Sequence, residues 1–233
     1  MALWRAIADT LRAEIASGQW RPGQRLPPEA VLAARFGVNR HTLRHAARTL
    51  ADEGLLYARR GAGVFVAAAP VDYPLGQRVR FHRNIELAGK VPGRRIDAVM
   101  TRPASPSEAA ALDLPAGAEV HAAEGLSTVD FRPVALFRSV FPAARLPGLP
   151  AALRETGSIT RALAACGIED YCRVHTRIAA QVADAAQAAQ LQIDPGEALL
   201  RTETLNAAAG IPVERGRTWW AAGRVTLTLQ DHS

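Results

Sequence analysis

Residues 36–66, FGVNRHTLRHAARTLADEGLLYARRGAGVFV, hold in one run a helix stop, a helix cap, a basic helix and a glycine-tipped hairpin. Gly37 suits the left-handed position that ends a helix. Asn39 is placed to cap the next one, which the apolar spacing carries to about Glu53, before Gly54. Leu43, Ala46, Ala47 and Leu50 form a narrow apolar stripe, while Arg40, Arg44 and Arg48 recur every fourth residue, as do His41 and His45. One face packs and the other is basic. Such a face serves either solvation or a nucleic-acid groove, and its surroundings decide between the two.

Upstream, LWRAIADTLRAEIASG (3–18) places Leu3, Ile7, Leu11 and Ile15 four apart and ends on glycine, which predicts a first helix with one buried stripe. RPG at 21–23 makes a turn, and PEAVLAARFG (28–37) predicts a short second helix with Pro28 tolerated in its first turn. The tight GVN connection into the third helix has helix-turn-helix spacing. Downstream, LLYARRGAGVFV reads as two strands around a doubly basic tip, a wing. Arg40, His41 and Arg44 fall in the first turns of the third helix, where side chains reach base edges, and Arg59 and Arg60 are placed for phosphates or a minor groove. Arg48, nearer the packing side, reads as a solvated surface residue.

Charge points the same way. Of the net +6, residues 1–68 carry ten arginines against Asp9, Glu14, Glu29, Asp52 and Glu53, or +5. Phosphate neutralisation dominates nucleic-acid affinity, so this asymmetry suits a nucleic-acid module at the amino end, although charge also serves solubility. The 48 % hydrophobic content supplies cores for one large or two small domains. Cys166 and Cys172 lie six apart without metal-type spacing, so they are expected to be packing residues in a reducing compartment. With no export segment and no apolar run near the roughly 20 residues that cross a bilayer, a cytoplasmic protein with no membrane contact is expected.

The rest of the chain repeats itself. LDLPAGAEV (112–120) is echoed by LQIDPGEAL (191–199), an offset of 79 that also pairs Glu124 with Glu203, Leu126 with Leu205, Arg138 with Arg217 and Ser139 with Thr218. Each half reads as helix, strand, alanine-rich helix, strand, turn, strand, opened by NIELAGK and TRALAACG, with hairpins at TVDFRP and NAAAGIP. Each half is small for a core of its own, so one antiparallel sheet built from both is expected. His82, His121, His175 and His232 are scattered, and no catalytic or phosphate-loop motif occurs. Arginine is plentiful at Arg78, Arg80, Arg138, Arg173, Arg177, Arg217 and Arg224. Two or three of these converging with Ser139, Ser158 or Thr160 would make an anion pocket, the remainder being surface residues.

The run RLPPEAVLAARFGVNRHTLRHAARTLADEGLLYARRGAGVFV resembles the winged-helix head of the GntR superfamily of bacterial transcription regulators over about residues 3–67. The resemblance implies DNA contacts from Arg40, Thr42 and Arg44 and from Arg60 and Gly61 of the wing. Pro28 departs from the family's small hydroxyl cap, and Ala30 stands where some members have a DNA-contacting arginine. Residues 77–230 resemble the ligand-sensing domain of the HutC branch, a fold shared with chorismate lyase. RVRFHRN, FPAARLPGL, TRIAA and PVERGRTWWAAGRVTLTL look most like PhnF-type regulators of phosphonate metabolism. That implies ligand contacts from Arg80 and His82, from Ser158 and Thr160, and from Glu214 and Arg224. Gly125 and Ser127 stand where sugar-phosphate sensors carry arginines, and Gly223 replaces an acid.

The expected architecture is α+β: a winged helix-turn-helix domain (1–67), a linker (68–76), and an antiparallel-sheet, chorismate-lyase-like effector and dimerisation domain with an internal repeat (77–233). The DNA-binding set is Asn39, Arg40, His41, Thr42, Arg44, Arg59, Arg60 and Gly61. The ligand-binding set is Arg78, Arg80, His82, Arg138, Ser139, Ser158, Thr160, Arg177, Glu214 and Arg224. The expected function is a homodimeric regulator, a repressor, on a near-palindromic double-stranded operator, responding to a small anionic effector, first a phosphonate or phosphate ester. No cofactor, metal or catalytic residue is expected. The alternative is an enzyme acting on an anionic metabolite through the second domain.

Overall fold

The apolar stripes of the first and third helices meet. The computed structural model describes residues 2–59, 61–67, 70–76, 78 and 81–229, and it divides into two units, Met1–Ala69 and Pro70–Ser233. The first, the head, contains α1 (Leu3–Ala16), α2 (Glu29–Phe36), α3 (Arg40–Asp52) and the antiparallel hairpin β1 (Leu56–Arg59) and β2 (Gly63–Val66). Ile7, Leu11, Leu32, Leu43, Leu50 and Val66 close its core. Gly37, at φ 64°, ends α2, and the Asn39 side chain accepts the Thr42 N–H at 2.8 Å to start α3. Pro28 is not within the first turn of α2 as expected but is its N-cap, extended at ψ 146° and without a side-chain cap bond. Arg12 clasps Glu53, just past α3, through Nε at 3.1 Å and Nη2 at 2.8 Å. Arg35 ion-pairs with Glu14, holding that carboxyl below its usual range.

The second unit, the body, runs β3 (Val71–Pro74), α4 (Phe81–Leu87), β4 (Pro92–Pro103), α5 (Pro106–Leu112), β5 (Glu119–Val129), β6 (Arg132–Pro142), α6 (Leu149–Thr156), α7 (Ile159–Ala165), β7 (Cys172–Val182), α8 (Ala185–Leu191), β8 (Ala198–Ala208), β9 (Ile211–Ala221) and β10 (Val225–Thr228). Six strands form one antiparallel sheet in the order β4-β5-β6-β9-β8-β7. Adding 79 carries α5 onto α8, β5 onto β8 and β6 onto β9 without slip. The same offset relates the capping boxes Ser105/Glu108 and Asp184/Gln187, and the left-handed helix ends Asp113 and Gln192. It also relates the register breaks after Ser127 and Asn206. The halves meet where Arg138 faces its own repeat mate, Arg217, across β6 and β9, so a pseudo-twofold axis passes between them.

On one sheet face, Leu112 of α5 packs with Val120 and Val140, while Leu191 of α8 packs with Leu126, Leu136 and Leu199. The other face carries α6 and α7 over Phe137, Phe141 and Val213, and α4 over Val134 and Trp220. Helix α6 was not read from the sequence; it begins at Leu149-Pro150, where proline is tolerated because the first turn has no N–H bond to lose. Within the stretch expected to link the domains, residues 71–74 form β3, which pairs in parallel with β10. Tyr73 lies 3 % exposed against Phe81 and Trp220, and that burial is what holds the strand. Cys166 packs as expected, but Cys172 is exposed on the edge strand β7.

Candidate nucleic-acid interface and ligand cleft

In the head, the buried stripe of α3 turns its other side outward. Asn39, Arg40, His41 and Arg44 are exposed, whereas Thr42 is half-buried and its hydroxyl is 3.0 Å from the Asn39 side chain it helps to hold. Asn39 and Thr42 thus build the start of the helix. Arg44 donates from Nε to Glu29 at 2.8 Å, which fixes the base of its fork while the side chain stays 62 % exposed. A hollow of about 470 Å³ separates α3 from the wing and is lined by Arg44, Arg25, Gly61 and Gly63 among others. Gly61 turns the wing at φ 74°. Arg59 ends β1, and Arg60 lies outside the described residues. The sequence reading missed Arg25. It bridges to Phe65, and its guanidinium lies so close over Gly63 that a Cβ there would approach Arg25 Nε to 2.8 Å. Gly63 itself sits at φ 107°, a backbone conformation that favours glycine.

In the body, a cleft between the sheet and helices α4 and α7 has a water-accessible volume of about 60 Å³. Five of the expected ligand residues line it: His82, Ser139, Ser158, Thr160 and Glu214. Ser158 also caps α7, accepting the Arg161 N–H at 3.4 Å, and Thr160 lies 3.2 Å from the Tyr171 hydroxyl. Burial pushes the His82 pKa down, helped by the charge of Arg94, and burial first, then Glu214, pushes the Tyr171 phenol up. Glu214, 4 % exposed, accepts from Ser139 Oγ at 2.6 Å and Asn206 Nδ2 at 2.7 Å. An outer hollow of about 480 Å³ shares His82, Ser158 and Thr160 with the cleft.

Four expected residues are elsewhere. Arg138 pairs with Glu124 at 2.9 Å on the opposite sheet face, and Arg177 is exposed on that face in register with Glu203. Arg78 pairs with Asp170 at 3.0 Å. Arg224, 7 % exposed, donates to the carbonyls of Leu191 and Gln192 at 2.6 and 2.7 Å, and to that of Pro133, so it caps the carboxyl end of α8. Arg80 lies outside the described residues.

Among the described residues two arginines line the cleft, Arg173 and, passed over by the sequence reading, Arg94. Its guanidinium lies 4.6 Å from the Phe137 ring and 5.1 Å from the Phe81 ring, with Nε 3.4 Å from Ser127 Oγ. Among the described residues it has no ion pair. Burial lowers its pKa, opposed by Tyr73 and Glu214. The offset that marks the repeat gives the signal that could have found it: 94 plus 79 is 173, and Arg173 lines the same cleft. A cation desolvated without a carboxylate partner is costly in the empty protein, and an anion entering the cleft relieves that cost.

Gly125 has a steric cause as well. A Cβ there would collide with the Arg95 carbonyl oxygen, because β4 bulges between Ile96 and Ala98 opposite it. Position 125 is therefore closed to any side chain in this chain. Among the described residues, no helix is long and apolar enough to cross a membrane.

Residues 3–66 match the family model of bacterial regulatory proteins, gntR family, and residues 87–226 match the UTRA domain. An HTH-type transcriptional regulator of Rhizobium meliloti is 38 % identical over 232 residues, 99 % of this chain and 95 % of that one. The probable transcriptional regulator PhnF of Escherichia coli is 34 % identical over 230 residues, 97 % of this chain and 94 % of that one. The crystal structure of PhnF from Mycobacterium smegmatis superposes with a TM-score of 0.66 at 28 % identity, covering 98 % of this chain and 99 % of that one. The chain belongs to the GntR family of bacterial regulatory proteins, as a transcription regulator and not an enzyme, with a winged helix-turn-helix head and a UTRA body of the HutC and PhnF type.

Proposed function

We propose that this regulator acts in the cytoplasm as a homodimeric repressor. Each head reads one half of a near-palindromic operator, because two-fold protein symmetry is matched by two-fold DNA symmetry. Arg40, His41 and Arg44 reach base edges, and the wing, with Gly61 and Arg25, meets the backbone or minor groove. The effector is a small anion, a phosphonate or phosphate ester. Arg94, a guanidinium in the cleft without an ion pair among the described residues, is the observation that carries this reading. The small volume and the closed position at Gly125 favour such a ligand over a sugar phosphate. Tyr73 of β3 lines the cleft, and β3 begins at Val71, just after the boundary between the units. The effector therefore touches the strand through which the chain leaves the body, and its differential affinity for two arrangements of that strand supplies the switch.

The test separates the two tasks. Arg44→Ala should weaken operator binding by about 1–3 kcal/mol, read by fluorescence anisotropy, with effector affinity intact. Arg94→Ala should abolish anion binding in calorimetry while effector-free operator affinity stays as it was. Equal losses in both assays for either variant would refute the division of labour.

A further inference from the structure

The cleft is lined by groups of opposite charge. Arg94 is joined by Arg173, whose Nη1 donates to the Gly76 carbonyl at 3.0 Å while its buried Nε has no hydrogen-bond partner. Glu214, whose charge reaches Arg94 without an ion pair between them, uses one hydrogen bond on each oxygen, from Ser139 and Asn206, which leaves each oxygen a further lone pair. Asn206, 1 % exposed, must turn its amide nitrogen to the acceptor-only carboxylate, so its Oδ1 is fixed as an acceptor, and that atom is buried without a partner. Buried polar atoms without partners are rare, and those lining a cleft mark where a ligand supplies the missing group.

We infer that the effector is a small zwitterion, its anionic group held by Arg94 and Arg173 and an ammonium group held by Glu214 and Asn206. This rests on the reading of the cleft as the effector site and narrows it. The count favours ammonium over hydroxyl. Two lone pairs on Glu214 and one acceptor on Asn206 match the three donors of a primary ammonium, whereas a hydroxyl offers one. A ligand bearing only an anion would leave Glu214 and Asn206 unsatisfied in a site screened from water, which costs affinity. The water-accessible volume of about 60 Å³ corresponds to roughly five waters, so the two charged groups are separated by a short chain. The repeat shows that this pair is a local addition: the mates of Glu214 and Asn206 are Ala135 and Ser127.

Calorimetry on the full chain with matched probes tests this. Aminoethylphosphonate should bind about tenfold or more tighter than ethylphosphonate, a margin expected of a charge-assisted hydrogen-bond set, and β-alanine against propionate asks the same of a carboxylate head. Whichever pair binds tighter identifies the anionic group. Glu214→Gln, equal in shape, should narrow the amino-to-alkyl ratio toward one. Equal affinity of the amino and alkyl members in the unmodified protein would overturn the zwitterion while leaving an anion site in place, and needs no variant to fold. Failure of all four probes would overturn the anion site itself, and this inference with it.

Discussion

From α5 to β6 and from α8 to β9 the two halves of the body share a backbone to the residue, and they differ in what they place on it. Helix caps, left-handed helix ends, hairpins and the register breaks after Ser127 and Asn206 recur at an offset of 79, while the bulges of β4 and β7 do not. Yet where the first half has Ala135 and Ser127, the second has Glu214 and Asn206, and where the first pairs Arg102 with Glu108, the second sets Gln181 near Gln187. The arginines at 94 and 173 are alike in both. The duplicated scaffold thus sets a matched pair of cations, and departures from symmetry set the carboxylate and the amide that share the cleft with them.

The equivalence can be tested hardest at the helices. Leu112 and Leu191 are repeat mates, each 0 % exposed. Truncating either to alanine should destabilise the body by about 2–5 kcal/mol, and by similar amounts, as read from urea unfolding. A twofold difference between them would break the equivalence of the halves.

A smaller effect should appear at the caps. The Arg102 side chain, at 2.8 Å, and then the Ser105 backbone N–H hold the Glu108 carboxyl at about 2, against 4.5 unperturbed. A folded-state pKa below the unfolded one gives stability that is complete above about 4.5 and is lost as pH falls toward 2. Glu108→Gln should therefore remove on the order of 2 kcal/mol at neutral pH and flatten stability over that acid window, measured by thermal unfolding across pH. The second half already carries glutamine there, so Gln187→Ala should leave the pH profile unchanged.

The smallest effect concerns the hairpins. Asp130–Phe131 and Ala209–Gly210 both turn through positive φ, but Phe131 does so at 63° with its ring 88 % exposed. Phe131→Gly relieves left-handed strain without losing burial and should stabilise by up to about 1 kcal/mol, raising Tm by roughly 2–4 °C. A fall in Tm would show that the two turns are not interchangeable.

Much of this was legible from spacing. Asn39, Gly37 and the α3 stripe announced the head, since caps and 3.6-residue periodicity are local properties, and the offset of 79 announced one sheet of two halves. The faces of the strands were not legible. A strand's side chains alternate, so one bulge reverses which of them face a cleft, and the bulges beside Ile96 and Arg173 are set by neighbouring strands. Hence Arg177, beyond the β7 bulge, read as a candidate although it faces away, as Arg138 does by alternation with Ser139, and Arg94 was passed over. Arg224 was misleading for a related reason: its partners are carbonyls of Pro133 and of α8, which only the folded chain brings near. The parallel pairing of β3 with β10 joins segments more than 150 residues apart, and nothing local in PVDYPLG signals it.

That pairing has a practical consequence for anyone dividing the protein. A fragment beginning at residue 77 would discard Tyr73 and Leu75 from the cleft wall and leave the β10 edge bare, inviting self-association and false negatives in ligand screens. Starting at Pro70 keeps the wall intact. Any hybrid that grafts this body onto a foreign head should likewise place its seam ahead of Val71.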